Sequence, residues 1–78
     1  MEMREIAVHT VEELGATIRR IRKETGLTQQ DAAALCNVSL PFLNALERGK
    51  PTAQIGKVLA VCSRFGIDVR LTLPGESA

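Results

Sequence analysis

The side chains in this 78-residue chain with the plainest chemistry are cationic, and they are not spread evenly. Between Arg19 and Lys57 lie Arg19, Arg20, Arg22, Lys23, Arg48, Lys50 and Lys57 against only Glu24, Asp31 and Glu47, although the net charge of the whole chain is just +1. The other acids gather toward the ends, at Glu2, Glu5, Glu12, Glu13, Asp68 and Glu76. Phosphate is bound by a basic surface rather than a basic total, so the middle of the chain is the candidate for a polyanion, with a solvated helix face as the alternative. Other chemistry lacks its parts. The single histidine, His9, lies in an N-terminal segment expected to be exposed, and there is no carboxylate pair, glycine-rich phosphate loop or metal-ligand cluster. Cys36 and Cys62 fall inside apolar helical patterns with no His or Cys at ligand spacing, which reads as two buried, reduced thiols. The expectation is a protein that is not an enzyme and needs neither cofactor nor metal.

What must position the basic groups is a set of short helices. A chain of this length supports one core, so residues 1–78 form a single domain. Trp and Tyr are absent and Phe occurs twice, so that core is aliphatic. Thr10 and Glu13 make a capping-box pair, starting a first helix near Val11 whose stripe is Val11, Leu14, Ile18 and Ile21; Gly26 ends it. Arg19, Arg20, Arg22 and Lys23 then point away from the core. Gly15 inside this helix costs about 1 kcal/mol relative to alanine, which close approach of another helix would offset. Thr28 caps a second helix from about Gln29 to Cys36, Asn37 takes a left-handed turn, and Ser39 caps a third helix with Pro41 in its first turn. Leu43 and Leu46 face inward and Gly49 closes the helix. Thr52 is expected to cap a fourth helix reaching about Phe65, with Ile55, Val58, Leu59, Cys62 and Phe65 as its stripe, stopped by Gly66. The helical core thus covers about residues 11–65.

The remaining pattern has a different period. In Ile67–Leu73, IDVRLTL, the apolar Ile67, Val69, Leu71 and Leu73 alternate with polar residues until Pro74 and Gly75, the signature of a strand over about 67–73. A lone strand must pair. Its possible partners are the Ile6–Val8 segment and the same strand of a second copy, and the favoured one is the second copy, giving a homodimer across a two-fold axis. No apolar run reaches the length of a bilayer span, and the N-terminus lacks the order of a signal peptide, so no membrane partner and a cytoplasmic location are expected.

Helix, tight turn, helix over Thr28–Gly49 is the scaffold that places a second helix in a DNA groove. The run Leu27-Thr28-Gln29, then Ala33, Val38-Ser39, Leu43, Glu47 and Gly49, resembles the helix-turn-helix signature of the Xre/Cro family of bacterial and phage repressors. With the first helix as LGATIRRIRKETG, the ERGKPT link and the terminal strand, the chain from about Val11 to Pro74 resembles HipB-like antitoxins. The resemblance implies an all-α fold, a compact four-helix lambda-repressor-like domain with a C-terminal β-strand that pairs in a dimer. It also implies a repressor that binds operator double-stranded DNA, controls its own operon and restrains a HipA-like kinase toxin.

Carried onto this sequence, the same resemblance places Ser39, Leu40, Pro41 and Asn44 toward the major groove for base readout. It gives Gln29 a backbone contact and a bracing role toward the third helix. It assigns Thr28, Arg48 and Lys50, with some of Arg19, Arg22 and Lys23, to phosphates. Asn44 can pair in two places with adenine; the other reading is an exposed polar residue on phosphate or water. Glu47 is read as structural, bonded to a basic residue of the first helix, because a carboxylate facing phosphate would repel it. Leu40 and Pro41 stand where relatives often carry polar or basic residues and can donate no side-chain hydrogen bond. Ala32 and Asn37 replace the usual larger aliphatic residue and glycine. These departures point to readout leaning on backbone contacts and DNA shape. Two alternatives to the antitoxin remain at this stage: a stand-alone Xre-type regulator, and a dimeric interaction module that neutralises a partner without strong DNA readout.

Overall fold

In the computed structural model, which describes residues 3–75, four α-helices follow one another: α1 (Val11–Glu24), α2 (Gln29–Cys36), α3 (Leu40–Glu47) and α4 (Ile55–Arg64). Three of the four starts are written in side chains. Thr10 Oγ1 accepts from the Glu13 N–H while the Glu13 carboxylate accepts from the Thr10 N–H, the reciprocal pair foreseen for α1. Thr28 Oγ1 accepts from Asp31 N–H and Ser39 Oγ from Phe42 N–H, so each satisfies an otherwise orphaned amide in the first turn. Asn37 terminates α2 at φ 58°, the left-handed conformation that asparagine tolerates better than other side chains.

The fourth start differs from expectation. Gln54, not Thr52, is the N-cap of α4, and it makes no side-chain cap hydrogen bond. The buried face of α4 is correspondingly shifted: Val58, Val61 and Cys62 are buried and Phe65 packs against them, whereas Ile55 and Leu59 are exposed. Leu59 lies about 100° round the helix from Val58, beyond the edge of that face, and Ile55 sits in the first turn.

The core is aliphatic and draws on all four helices through Ile18, Ala32, Ala33, Cys36, Leu43, Leu46, Val58, Val61 and Cys62. Both thiols are buried within it, and loss of hydration pushes each thiol pKa above its ordinary value. Between α1 and α3 the approach is backbone to backbone. A methyl group at Gly15 would collide with the Leu46 carbonyl oxygen and stand 3.1 Å from that of Glu47, which is the compensation anticipated for a glycine in mid-helix. Gly49, at φ 84°, brings the end of α3 against the first turn of α1, where an added Cβ would lie 2.8 Å from Glu12 Cα.

Neither terminal segment has regular structure among the described residues. Residues 3–9 have no helix or strand, and Arg4 Nη2 lies 3.6 Å from Glu24 Oε1, so this arm runs back along α1 to its far end. Beyond Gly66, no strand forms among the described residues. Ile67 packs partly against the core, while Val69, Leu71 and Leu73 are 51%, 82% and 74% exposed. No helix among the described residues is long and apolar enough to cross a membrane.

Candidate nucleic-acid interface

The turn at Asn37 and Val38 sets α3 across α2, and the inward residues of α3, Leu43, Leu46 and Glu47, decide which face is left outside. Ser39, Leu40 and Pro41 occupy that outer face at its N-terminal end, all exposed, and Asn44 follows one turn later, half-buried. The Ser39 oxygen is engaged as the cap, leaving its hydroxyl hydrogen free to donate outward. The residues Arg19, Lys23, Thr28, Arg48 and Lys50 are exposed, and Lys50 lines a groove together with Ser39 and Pro41.

Arg22 breaks from its neighbours and from the role proposed for it. It shares the buried face of α1 with Gly15 and Ile18 and is only 7% exposed. Its Nε donates to Glu47 Oε2 at 2.7 Å, its Nη2 to Glu47 Oε1 at 3.0 Å and its Nη1 to the Leu27 carbonyl at 2.8 Å. The bidentate bond to Glu47 raises the guanidinium pKa further, outweighing the opposing cost of burial. A cation so enclosed has no surface to offer a phosphate, so Arg22 leaves the phosphate set. The partner expected for Glu47 on the first helix is therefore Arg22.

The ion pair continues outward. Gln29, half-buried at the start of α2, donates Nε2 to Glu47 Oε1 at 2.9 Å, and its own Oε1 accepts from Asn44 Nδ2 at 3.1 Å. Four residues from three helices thus form one connected network, with Arg22 and Glu47 inside and Asn44 at the surface. The bracing role of Gln29 toward α3 has a direct counterpart here, made through Glu47 and Asn44.

Two groups were not singled out from the sequence. Lys57 Nζ lies 5.6 Å from the centre of the Phe42 ring, on a groove between α3 and the start of α4 that Ser39, Pro41, Lys50 and Gln54 also line. Its place in the central basic set was the available signal. Arg64 donates Nε to the Leu35 carbonyl at 3.1 Å, tying the last turn of α4 to the last turn of α2. Only a three-dimensional neighbour marks that role. Among the described residues no cluster of His, Cys, Asp and Glu could hold a metal ion.

Comparison with known proteins agrees with this arrangement. Residues 13–73 match the model of a helix-turn-helix domain family. An HTH-type transcriptional regulator of Sinorhizobium fredii, y4mF, is 45% identical over 69 residues, covering 88% of this chain and 91% of the relative. The HTH-type transcriptional regulator DdrOP3 of Deinococcus deserti is 34% identical over 58 residues, 74% of this chain and 45% of its own length. A propionyl-CoA carboxylase regulator of Cereibacter sphaeroides is 40% identical over 63 residues, 81% of this chain but only 14% of that much longer protein. With residues 13–73 matched by a helix-turn-helix domain and with HTH-type transcriptional regulators among its relatives, the chain belongs to the Xre-like helix-turn-helix family of DNA-binding transcriptional regulators.

Proposed function

We propose that the protein is a homodimeric repressor that binds an operator through α3 and the basic residues around it. The observation that carries this reading is the outer face of α3, where Ser39, Leu40 and Pro41 are exposed, Asn44 is half-buried, and Lys50 and Lys57 line a groove together with Ser39 and Pro41. Asn44 is the base contact, Ser39 a second polar contact, and Leu40 and Pro41 offer apolar surface to thymine methyl groups. Arg19, Lys23, Thr28, Arg48 and Lys50 contact phosphates, with Gln29 retained for the one Nε2 hydrogen its internal bonds do not use. Binding to a duplex carrying the protein's own upstream region should weaken steeply as salt is raised, because each phosphate contact releases counterions. A flat salt response in a gel-shift titration would remove the DNA-binding mode argued here.

The dimer rests on the terminal segment. Val69, Leu71 and Leu73 repeat every second residue and are exposed in the single chain, and the backbone around them forms no strand. Pairing with the same segment of a second copy covers both, and it sets two copies of α3 at one spacing. Val69→Pro removes a ladder donor and should turn the dimer into monomer by sedimentation, with loss of operator binding. A dimer unchanged by this substitution places the interface elsewhere.

The antitoxin form of this role draws on the ERGKPT link and the terminal segment, the two stretches that carry the resemblance to HipB-like proteins. A HipA-like kinase toxin encoded beside the protein and co-purifying with it supports that form. Its absence leaves a stand-alone regulator.

A further inference from the structure

We propose that the hydrogen-bonding orientation of the Asn44 amide, and with it the base that α3 selects, is dictated from inside the protein by a one-way chain of bonds beginning at buried Arg22; this deepens, and rests on, the reading of Asn44 as a base contact. A guanidinium carries only donors and a carboxylate only acceptors. Arg22 spends two donors on Glu47, so everything else that meets Glu47 must also donate. Gln29 can therefore face it only with its NH2 group, as the 2.9 Å contact from Nε2 to Glu47 Oε1 records. That choice turns the Gln29 oxygen outward. Only an N–H can meet it, and Asn44 supplies one from Nδ2 at 3.1 Å. Reversing either amide would set oxygen against oxygen. The two ends of a carboxamide are nearly alike in shape, and what distinguishes them here is the fixed donor character of Arg22.

The consequence lies at the surface. Nδ2 gives one of its two hydrogens to Gln29, which leaves Oδ1 and the second Nδ2 hydrogen as the free edge of Asn44. An acceptor beside a donor complements adenine, whose major-groove edge carries the N6 amino donor and the N7 acceptor. Guanine presents two acceptors there, and cytosine a single donor. Each of these leaves one Asn44 group opposed or unpaired. Gln29 is thus a positioning residue for specificity, and Glu47 with Arg22 is what positions it.

The test measures binding of the full chain to operator duplexes randomised at one base pair at a time, and reads the ratio of adenine to the other bases at each position. The wild type should favour adenine at one position by roughly fivefold to a hundredfold, the range of a bidentate contact. Gln29→Met, which cannot orient the Asn44 amide, should lose most of that ratio at the same position and at no other. Asn44→Ala should lose it too, and the double variant should lose no more than Asn44→Ala alone. Gln29→Glu, which has no donor for Glu47 and sets oxygen against oxygen at that contact, should lose the preference as well. Gln29→Ala is read in place of methionine if the longer side chain disturbs the fold by circular dichroism. An adenine ratio undiminished in Gln29→Met, a loss equal on every sequence, or a wild type without adenine preference overturns the proposal. The operator-binding reading fails separately, if the wild-type chain retains no duplex in a salt-sensitive manner.

Discussion

Glu47→Ala should remove most of the stability of the protein, at a cost of about 3 to 5 kcal/mol, because it leaves the buried Arg22 guanidinium without its counter-charge. A domain of this size holds only about 4 to 12 kcal/mol in total, so the variant should sit at or near the edge of unfolding at room temperature. Three donors lose their acceptor at once: Arg22 Nε, Arg22 Nη2 and Gln29 Nε2. The cost belongs to the stranded charge more than to the pair. Removing both ions in Arg22→Met/Glu47→Leu should therefore recover much of the loss, since well-packed apolar replacements of a buried pair are often close to neutral. With neither Trp nor Tyr in the chain, the measurement is urea unfolding followed by far-ultraviolet circular dichroism. Equal destabilisation by Glu47→Ala and by the double substitution would show that packing, not charge, dominates at this site.

Gly15→Ala should destabilise by about 2 kcal/mol or more, even though alanine is the better helix former by about 1 kcal/mol, because overfilling a tight contact forces the backbone to move. The obstacle at Gly15 is the Leu46 carbonyl, a backbone atom that cannot swing aside as a long side chain would. Moving α1 away from α3 would also stretch the bonds between Arg22 and Glu47. The same substitution at Gly56 in α4 provides the control. Nothing lies within 4 Å of a Cβ built there, so Gly56→Ala should leave stability unchanged or raise it by about 0.5 kcal/mol. Opposite signs for the two variants in one set of urea curves establish the close helix contact; matching signs refute it.

How far such features were legible in the sequence follows from how local their causes are. The caps at Thr10, Thr28 and Ser39 and the turn at Asn37 involve residues three or four apart, and each falls where its residue type suggests. Gly15 was legible as a mid-helix glycine in need of a reason, and the reason lies on a distant helix. Thr52 misled because a capping residue close to a helix start resembles the cap itself, while Thr52 lies in a turn with Pro51 and two non-helical residues, Ala53 and Gln54, follow before α4 begins at Ile55. Arg22 misled for a different cause. Its partner stands 25 positions away, and a cation flanked by Arg19, Arg20 and Lys23 reads as one more member of a solvated face. The positions proposed to face bases came from resemblance to a family, while the bonds from Asn44 through Gln29 to Glu47 needed α2 and α3 in their places. The terminal stretch shows the reverse situation: its period of two is plain in the sequence, and no strand forms there among the described residues.

The contact at Gly15 also bears on how such a protein changes its target over generations. Where two helices meet through side chains, each substitution in the contact resets their angle, and a recognition helix drifts with its foundation. At Gly15 α1 meets the peptide groups of α3, which mutation of neighbouring side chains cannot enlarge or trim, and beside it the two helices are joined by the buried bond from Arg22 to Glu47. The mount of α3 is thereby uncoupled from its outer surface. Leu40 and Pro41, exposed and outside that contact, can be exchanged while the helix stays seated as before, whereas Ser39 is held to its place by the cap on Phe42 N–H; on the proposed reading of α3, a new specificity is then open by few substitutions and without rebuilding the fold.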